Sequence, residues 1–303
     1  MNRSLLMSGL LFLTACGEPF VPFEDVSFLE SLPQTDDILL EEVGATASRM
    51  EDDCIPSQLL PFSTQMSVNI NNITDRLLGL LDKIRSRPIT TRAGDTRIWG
   101  PYQVDETMAL RLTMTYDGEG YDYVMEIGGL ASTVGDVVMV GDIVVDAKQQ
   151  ERSGAFTFDF DTWYNFQPES SHHGSIHVQY HRFDAGRQIH ADLFDLRSGD
   201  TPYGAGLTAQ VDYHLGGDGV GLDFADQYNQ AGSEAQEHRF LSTRSDGSGA
   251  GVGSVVISGG DLGQKESIFS ECWNTVLCQV FSQQITPDGG VTTSGNEGLC
   301  PLF

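Results

Sequence analysis

The chain reads as a mainly β protein, an antiparallel meander, and three observations carry that reading. After about Asp95, apolar and polar residues alternate strictly in run after run. Short Gly/Asp turns separate the runs. The gaps are too short to hold the crossover helices of a parallel sheet. About 10–12 strands are expected, and a meander of that size must curl into a half-barrel, close into a barrel, or fold into two layers.

The strand pattern is clearest at Met108, Leu110, Leu112, Met114 and Tyr116, which alternate with Ala109, Arg111, Thr113 and Thr115. Asp117-Gly118-Glu119-Gly120 turns the chain, and Tyr121, Tyr123, Met125 and Ile127 resume the period of two. Further runs are expected over 137–145, 156–163, 176–183, 189–196, 207–213, 220–224, 239–243, 252–257 and 276–285. One helix precedes them, over about 69–86. Ile70, Ile73, Leu77, Leu81 and Ile84 recur at spacings of three and four, Asn69 or Asn71 can cap its start, and Pro88 stops it. A helix this apolar on one side is expected to lie against the sheet.

The chain has 303 residues with 17 basic and 43 acidic side chains, a net charge of −26. Such a surface repels phosphate, so nucleic acid is not an expected partner. Its first fifteen residues combine Arg3, an apolar run from Leu5 to Leu13, and small residues after it, which is the make-up of a signal peptide. The run is too short to span a bilayer. Residues 17–53 then carry eleven acids, one base (Arg49) and three prolines. The expected organisation is a signal peptide over 1–15, an acidic tether over 16–60, and a β-rich domain over 61–303. Phe20, Phe23, Phe28 and Leu29 within the tether can dock on the domain or on a membrane surface.

Leu13-Thr14-Ala15-Cys16 resembles the lipobox of bacterial lipoproteins. The resemblance implies that Cys16 is acylated, palmitate included, and becomes the first residue of the mature chain. Gly17 after it permits an outer-membrane location, with the domain in the periplasm or on the cell surface. The helix-plus-curled-sheet layout over 65–285 is similar to the half-barrel of periplasmic lipoprotein carriers. Glu271-Cys272-Trp273 and the acid-rich chain resemble predicted lipoproteins of unassigned function in Gram-negative predatory and gliding bacteria.

Four cysteines remain besides Cys16, an even number that suits two disulfides in an exported chain. Three connectivities are possible. Cys272–Cys300 is favoured as a clasp on the C-terminal hairpin, leaving Cys54–Cys278 to pin the start of the domain to its last strand.

No GxSxG, HExxH, Walker A or complete GxGxxG pattern occurs, so no catalytic residue or cofactor is expected. One polar constellation invites a metal. If Asp184 and Arg187 flank a two-residue turn, His181 stands opposite His190 with Asp192 diagonal, a weak candidate site for zinc or copper. Phe156, Phe158 and Phe160 form an aromatic stripe. Together with Met114 and Met125 they are the candidate wall of an apolar ligand cavity. The functional expectation is a membrane-anchored, non-enzymatic envelope protein that binds an apolar ligand or a protein partner. Two alternatives stand beside it: a structural or surface-interaction lipoprotein whose core is filled by its own side chains, and an unrecognised hydrolase or metal enzyme.

Overall fold

The structure is a computed structural model that describes residues 23–43, 54–104, 106–129, 135–146, 148, 150–167, 172–198, 206–228 and 235–302. Cys16 and the expected signal peptide lie outside the described residues.

Among the described residues, fifteen strands follow one another in a single antiparallel sheet whose spatial order is the order of the sequence. They are β1 (Thr91–Ala93), β2 (Thr96–Gln103), β3 (Met108–Tyr116), β4 (Tyr121–Gly129), β5 (Asp136–Asp146), β6 (Glu151–Asp159), β7 (His172–Phe183) and β8 (Gly186–Ser198). Then come β9 (Leu207–Gly216), β10 (Gly219–Tyr228), β11 (Glu237–Ser245), β12 (Gly251–Gly259), β13 (Glu266–Trp273), β14 (Gln279–Ile285) and β15 (Val291–Gly295). The sheet does not close: β1 and β15 are its two edges. The four strands that the alternation misses are β1, β2, β13 and β15. β2 contains Pro101, and β13 groups its polar and apolar residues in pairs (Glu266-Ser267, Ile268-Phe269, Ser270-Glu271, Cys272-Trp273) rather than alternating them, so neither reads as a clean run.

The inner face of the sheet carries the core. One row across it runs Phe156, Val178, Ala191, Val211, Phe224, Leu241, Val255 and Phe269, each opposite the next. Helix α3 (Leu60–Arg85) supplies the facing layer. It begins nine residues before the expected start. Its buried stripe continues toward the N-terminus from Ile70 through Ser67 and Ser63, small polar residues that break the apolar periodicity while keeping its spacing. Its start is capped by the sheet rather than by Asn69 or Asn71. The buried Glu271 carboxylate accepts bonds from Ser57 Oγ (2.5 Å), Gln58 N (2.8 Å) and Leu59 N (2.8 Å). A carboxylate there satisfies orphan amides and meets the positive end of the helix dipole. Asn71 instead bonds both the N–H and the C=O of Leu40, at 2.8 Å each.

That last pair corrects the expected tether. Residues 23–43 are not a loose leader: they form helices α1 (Phe23–Ser31) and α2 (Thr35–Ile38) and bury Phe28, Leu32, Ile38, Leu40 and Val43 in the core. Their acids are ion-pair partners. Asp25 receives Arg92 Nη2 (2.7 Å) and Arg97 Nε (2.8 Å). Asp37, fully buried, receives Arg152 Nε (3.0 Å) and Arg182 Nη1 (3.3 Å). Glu41 receives Arg187 Nη2 (2.8 Å). Composition alone reads these acids as solvated, because their cationic partners lie 67 to 146 residues away.

Both expected disulfides form, Cys54–Cys278 and Cys272–Cys300, each with 5.5 Å between Cα atoms. The Glu271-Cys272-Trp273 triplet therefore has a structural account. Glu271 caps α3, Cys272 holds the C-terminus, and Trp273 is fully buried with its indole N–H on Gly249 O at 3.0 Å.

Candidate functional site

The five residues expected to wall an apolar cavity lie in the hydrophobic core. Met114, Met125, Phe156, Phe158 and Phe160 are all buried in the single core, and none borders the grooves described below. Phe158 instead packs on Phe160 and Trp163, with ring centroids 4.8 and 6.1 Å apart. The stripe also ends early. Asp159 accepts bonds from Asp161 N (2.9 Å) and Thr162 N (3.0 Å), so Phe160 opens helix α4 (Phe160–Phe166) instead of continuing the strand.

The histidine register differs from the expectation by two residues. Phe183 pairs with Gly186, so the turn is Asp184-Ala185. His181 then faces Gln188, and His190 faces Gln179 on one side and Asp212 on the other. The proposed His181–His190 pair is not formed. Among the described residues no group of three or more His, Cys, Asp or Glu side chains is arranged to hold a metal ion.

What the register does assemble is a groove on the outer face, of about 570 Å³, crossing β5 to β10. Period-two alternation sends Ser153, Gln179, His181, Gln188, His190, Asp212, His214 and Asp223 to this side while their neighbours fill the core. Gly154 lies in its floor. A Cβ there would press on the Tyr180 ring from the inner face, and one at Gly141 would collide with Tyr123. The two tyrosine hydroxyls beneath these glycines are buried without a hydrogen-bond partner. Burial, with the neighbouring Tyr180 and Asp142 adding to it, pushes the Tyr123 pKa well above that of a free phenol.

The groove is electrostatically graded. His190 lies between two carboxylates, with Nδ1 2.7 Å from Asp212 and Nε2 3.3 Å from Asp192. Partial burial opposes its charge, but Asp212 and then Asp192 outweigh that, and the imidazole pKa rises above its ordinary value. Asp223 behaves oppositely. Burial would raise its pKa, yet the two-pronged Arg244 contact (2.8 and 2.6 Å) lowers it. Asp142 sits directly across from Asp122, and burial followed by that like charge raises its pKa. His177, outside the groove lining, bonds Thr157 Oγ1 at 2.9 Å and Gln179 Nε2 at 3.0 Å.

A second, smaller groove of about 300 Å³ lies between α3 and strands β8–β10, where Met66, Ile73, Leu193 and Phe224 meet Arg76 and Arg197. No helix among the described residues is long and apolar enough to cross a membrane. Comparison with family models, curated proteins and solved structures finds no match to this chain.

Proposed function

We propose that this is a lipid-anchored, non-enzymatic binding protein of the bacterial envelope, acylated at Cys16, that works through the outer face of its sheet. The single observation behind the choice of face is where free volume lies. The concave side is occupied by α3 and by residues 23–43, while the largest described indentation is on the opposite side. This arrangement favours the filled-core, surface-interaction alternative over an apolar passenger held inside the curl.

The groove lining presents carboxylate acceptors, two primary amides, three imidazoles and a hydroxyl from neighbouring strands. That density of short, directional donors and acceptors suits a polyhydroxylated ligand, and an envelope saccharide is the class it fits. Titration calorimetry with soluble cell-wall and outer-membrane oligosaccharides tests this. Binding that Gln179→Ala and His190→Ala weaken by roughly tenfold each, about the worth of one hydrogen bond, is the expected result. No heat with any saccharide at about 1 mM, where even weak complexes register, rejects the ligand class. The anchor has its own test: detergent-phase partitioning of the protein from cells, lost in Cys16→Ser, against equal partitioning of both forms, which rejects acylation.

A further inference from the structure

The polar groove on the outer face does not end at His190. Two residues further along each strand, Asp192, Gln210, Ala225, Phe240 and Val256 form a row across β8 to β12, each opposite the next. The row crosses a second indentation, of about 300 Å³, on the same face. Asp192 joins the two. One of its oxygens lies 3.3 Å from His190 Nε2 in the first groove, and the other accepts a bond from Gln210 Nε2 at 3.0 Å in the second. At the ordinary strand spacing, the joined trough from Asp142 on β5 to Val256 on β12 is roughly 30 Å long.

The second half differs from the first by two aromatic rings. Phe194 is 50% exposed and Phe240 is 45% exposed, the most exposed phenylalanines among the described residues. Thr208, Gln210 and Ala225 lie between them in the lining. A bulge in β8 presents Phe194. The pairing with β9 shifts between Leu193 and Leu196, and Asp195 takes a φ of 50°. Glycines on both sides admit that bulge: a Cβ at Gly174 would collide with Phe194 O, and one at Gly206 would collide with Asp195.

This combination narrows the ligand by exclusion and by fit. Strands β8 to β11 are interior and paired on both sides, so a peptide cannot join the sheet here. Neither lining contains a lysine, and the one guanidinium, Arg239, is tied to Asp226 at 2.9 and 2.5 Å. Asp142, Asp192, Asp212 and Asp223 stand along the trough, so an anionic sugar meets like charge. A neutral sugar meets no such penalty. The faces of its ring carry C–H groups that rest on the electron-rich face of an aromatic ring, and its rim carries hydroxyls for the amides and carboxylates.

We infer that the trough binds one neutral, unbranched glycan chain lengthwise, with hydroxyls on the His190–Asp212 half and sugar rings against Phe194 and Phe240. The inference deepens the saccharide reading and rests on it, and it does not involve acylation.

Titration calorimetry of the full chain carrying Cys16→Ser tests it with three probes: the hexasaccharide and the disaccharide of N-acetylglucosamine, and the hexasaccharide of galacturonic acid. One neutral hexasaccharide per chain is expected, bound at least about tenfold more tightly than the disaccharide or the galacturonate. Phe194→Ala and Phe240→Ala should each weaken it about fivefold, within the usual worth of an aromatic contact, and Phe240→Trp should preserve it. Equal affinity for the two neutral lengths, with His190→Ala weakening both and the phenylalanine variants weakening neither, overturns the lengthwise chain and leaves the first groove as a saccharide site. Galacturonate bound as tightly as the neutral hexasaccharide also overturns the inference. So does no heat from the neutral hexasaccharide at about 1 mM, and binding of the envelope oligosaccharides then decides whether the saccharide reading falls with it. Circular dichroism of each variant separates lost binding from lost folding.

Discussion

At the β1 edge only three residues pair, and Arg92 among them is tied to Asp25 of the packed N-terminal segment. At the β15 edge five exposed residues pair on one side only, with no charged side chain and nothing layered over them among the described residues. The interiors behind the two edges differ in the same sense. From β3 to β10 the inner face is largely buried beneath the helices, and Arg97 of β2 and Arg152 of β6 reach the buried Asp25 and Asp37. From β12 to β15 most residues are half-exposed on both faces, and the fold is held by two disulfides and the Glu271 cap. One sheet thus uses two stabilising strategies, burial with ion pairing at its beginning and covalent stapling at its end.

Breaking the first strategy should have the largest effect. Asp37→Ala leaves the Arg152 and Arg182 guanidinium groups without their shared carboxylate, one of them largely buried. Urea unfolding should show a loss of about 3–5 kcal/mol, the usual cost of removing one partner from a buried pair. A loss below about 1 kcal/mol would mean that residues 23–43 are an accessory layer rather than part of the core. Breaking the second strategy comes next. Cys54→Ser with Cys278→Ser opens a bridge spanning 224 residues of sequence and should cost about 2–4 kcal/mol. Hydrogen exchange should quicken in β13–β15 well before β3–β9, and uniform quickening would erase the distinction between the two ends.

The smallest effect is a pH dependence. Burial opposes the charge of Asp25, but the bonds from Arg92 and Arg97 prevail and hold its carboxyl below the ordinary range. A depressed folded pKa contributes stability in full above the unfolded value near 4 and loses it as pH falls through the folded one. Acid unfolding followed by fluorescence should therefore be shallower in Asp25→Asn than in the parent below about pH 4. Parallel acid limbs would remove Asp25 from the account.

How much of this the residues announce depends on how local the signal is. The alternation of β3 and β4, the turn at Asp117 and the stripe of α3 from Ile70 to Ile84 are visible because each is set by neighbours two to four positions away. The disulfide pairing was also within reach, since a clasp between Cys272 and Cys300 on the C-terminal hairpin leaves Cys54 for Cys278. Long-range pairings were not. Asp25, Asp37 and Glu41 look like solvated acids until Arg97, Arg152 and Arg187 are brought to them. The histidine site failed on one turn: Asp184-Ala185 bridges the strands, not Ala185-Gly186, and that moves every cross-strand partner by two. The outer groove was missed for a related reason. Its lining comes from six strands, and no single strand contributes more than three of its residues.

The packing of residues 23–43 also sets a distance. From Cys16 to Phe23 is seven Cα steps, at most about 25 Å when fully stretched, whereas a tether running to residue 60 would allow well over 100 Å. Under the anchoring proposed above, the domain is moored rather than leashed. It hovers within roughly half its own width of the bilayer, and whatever it meets must come to that layer.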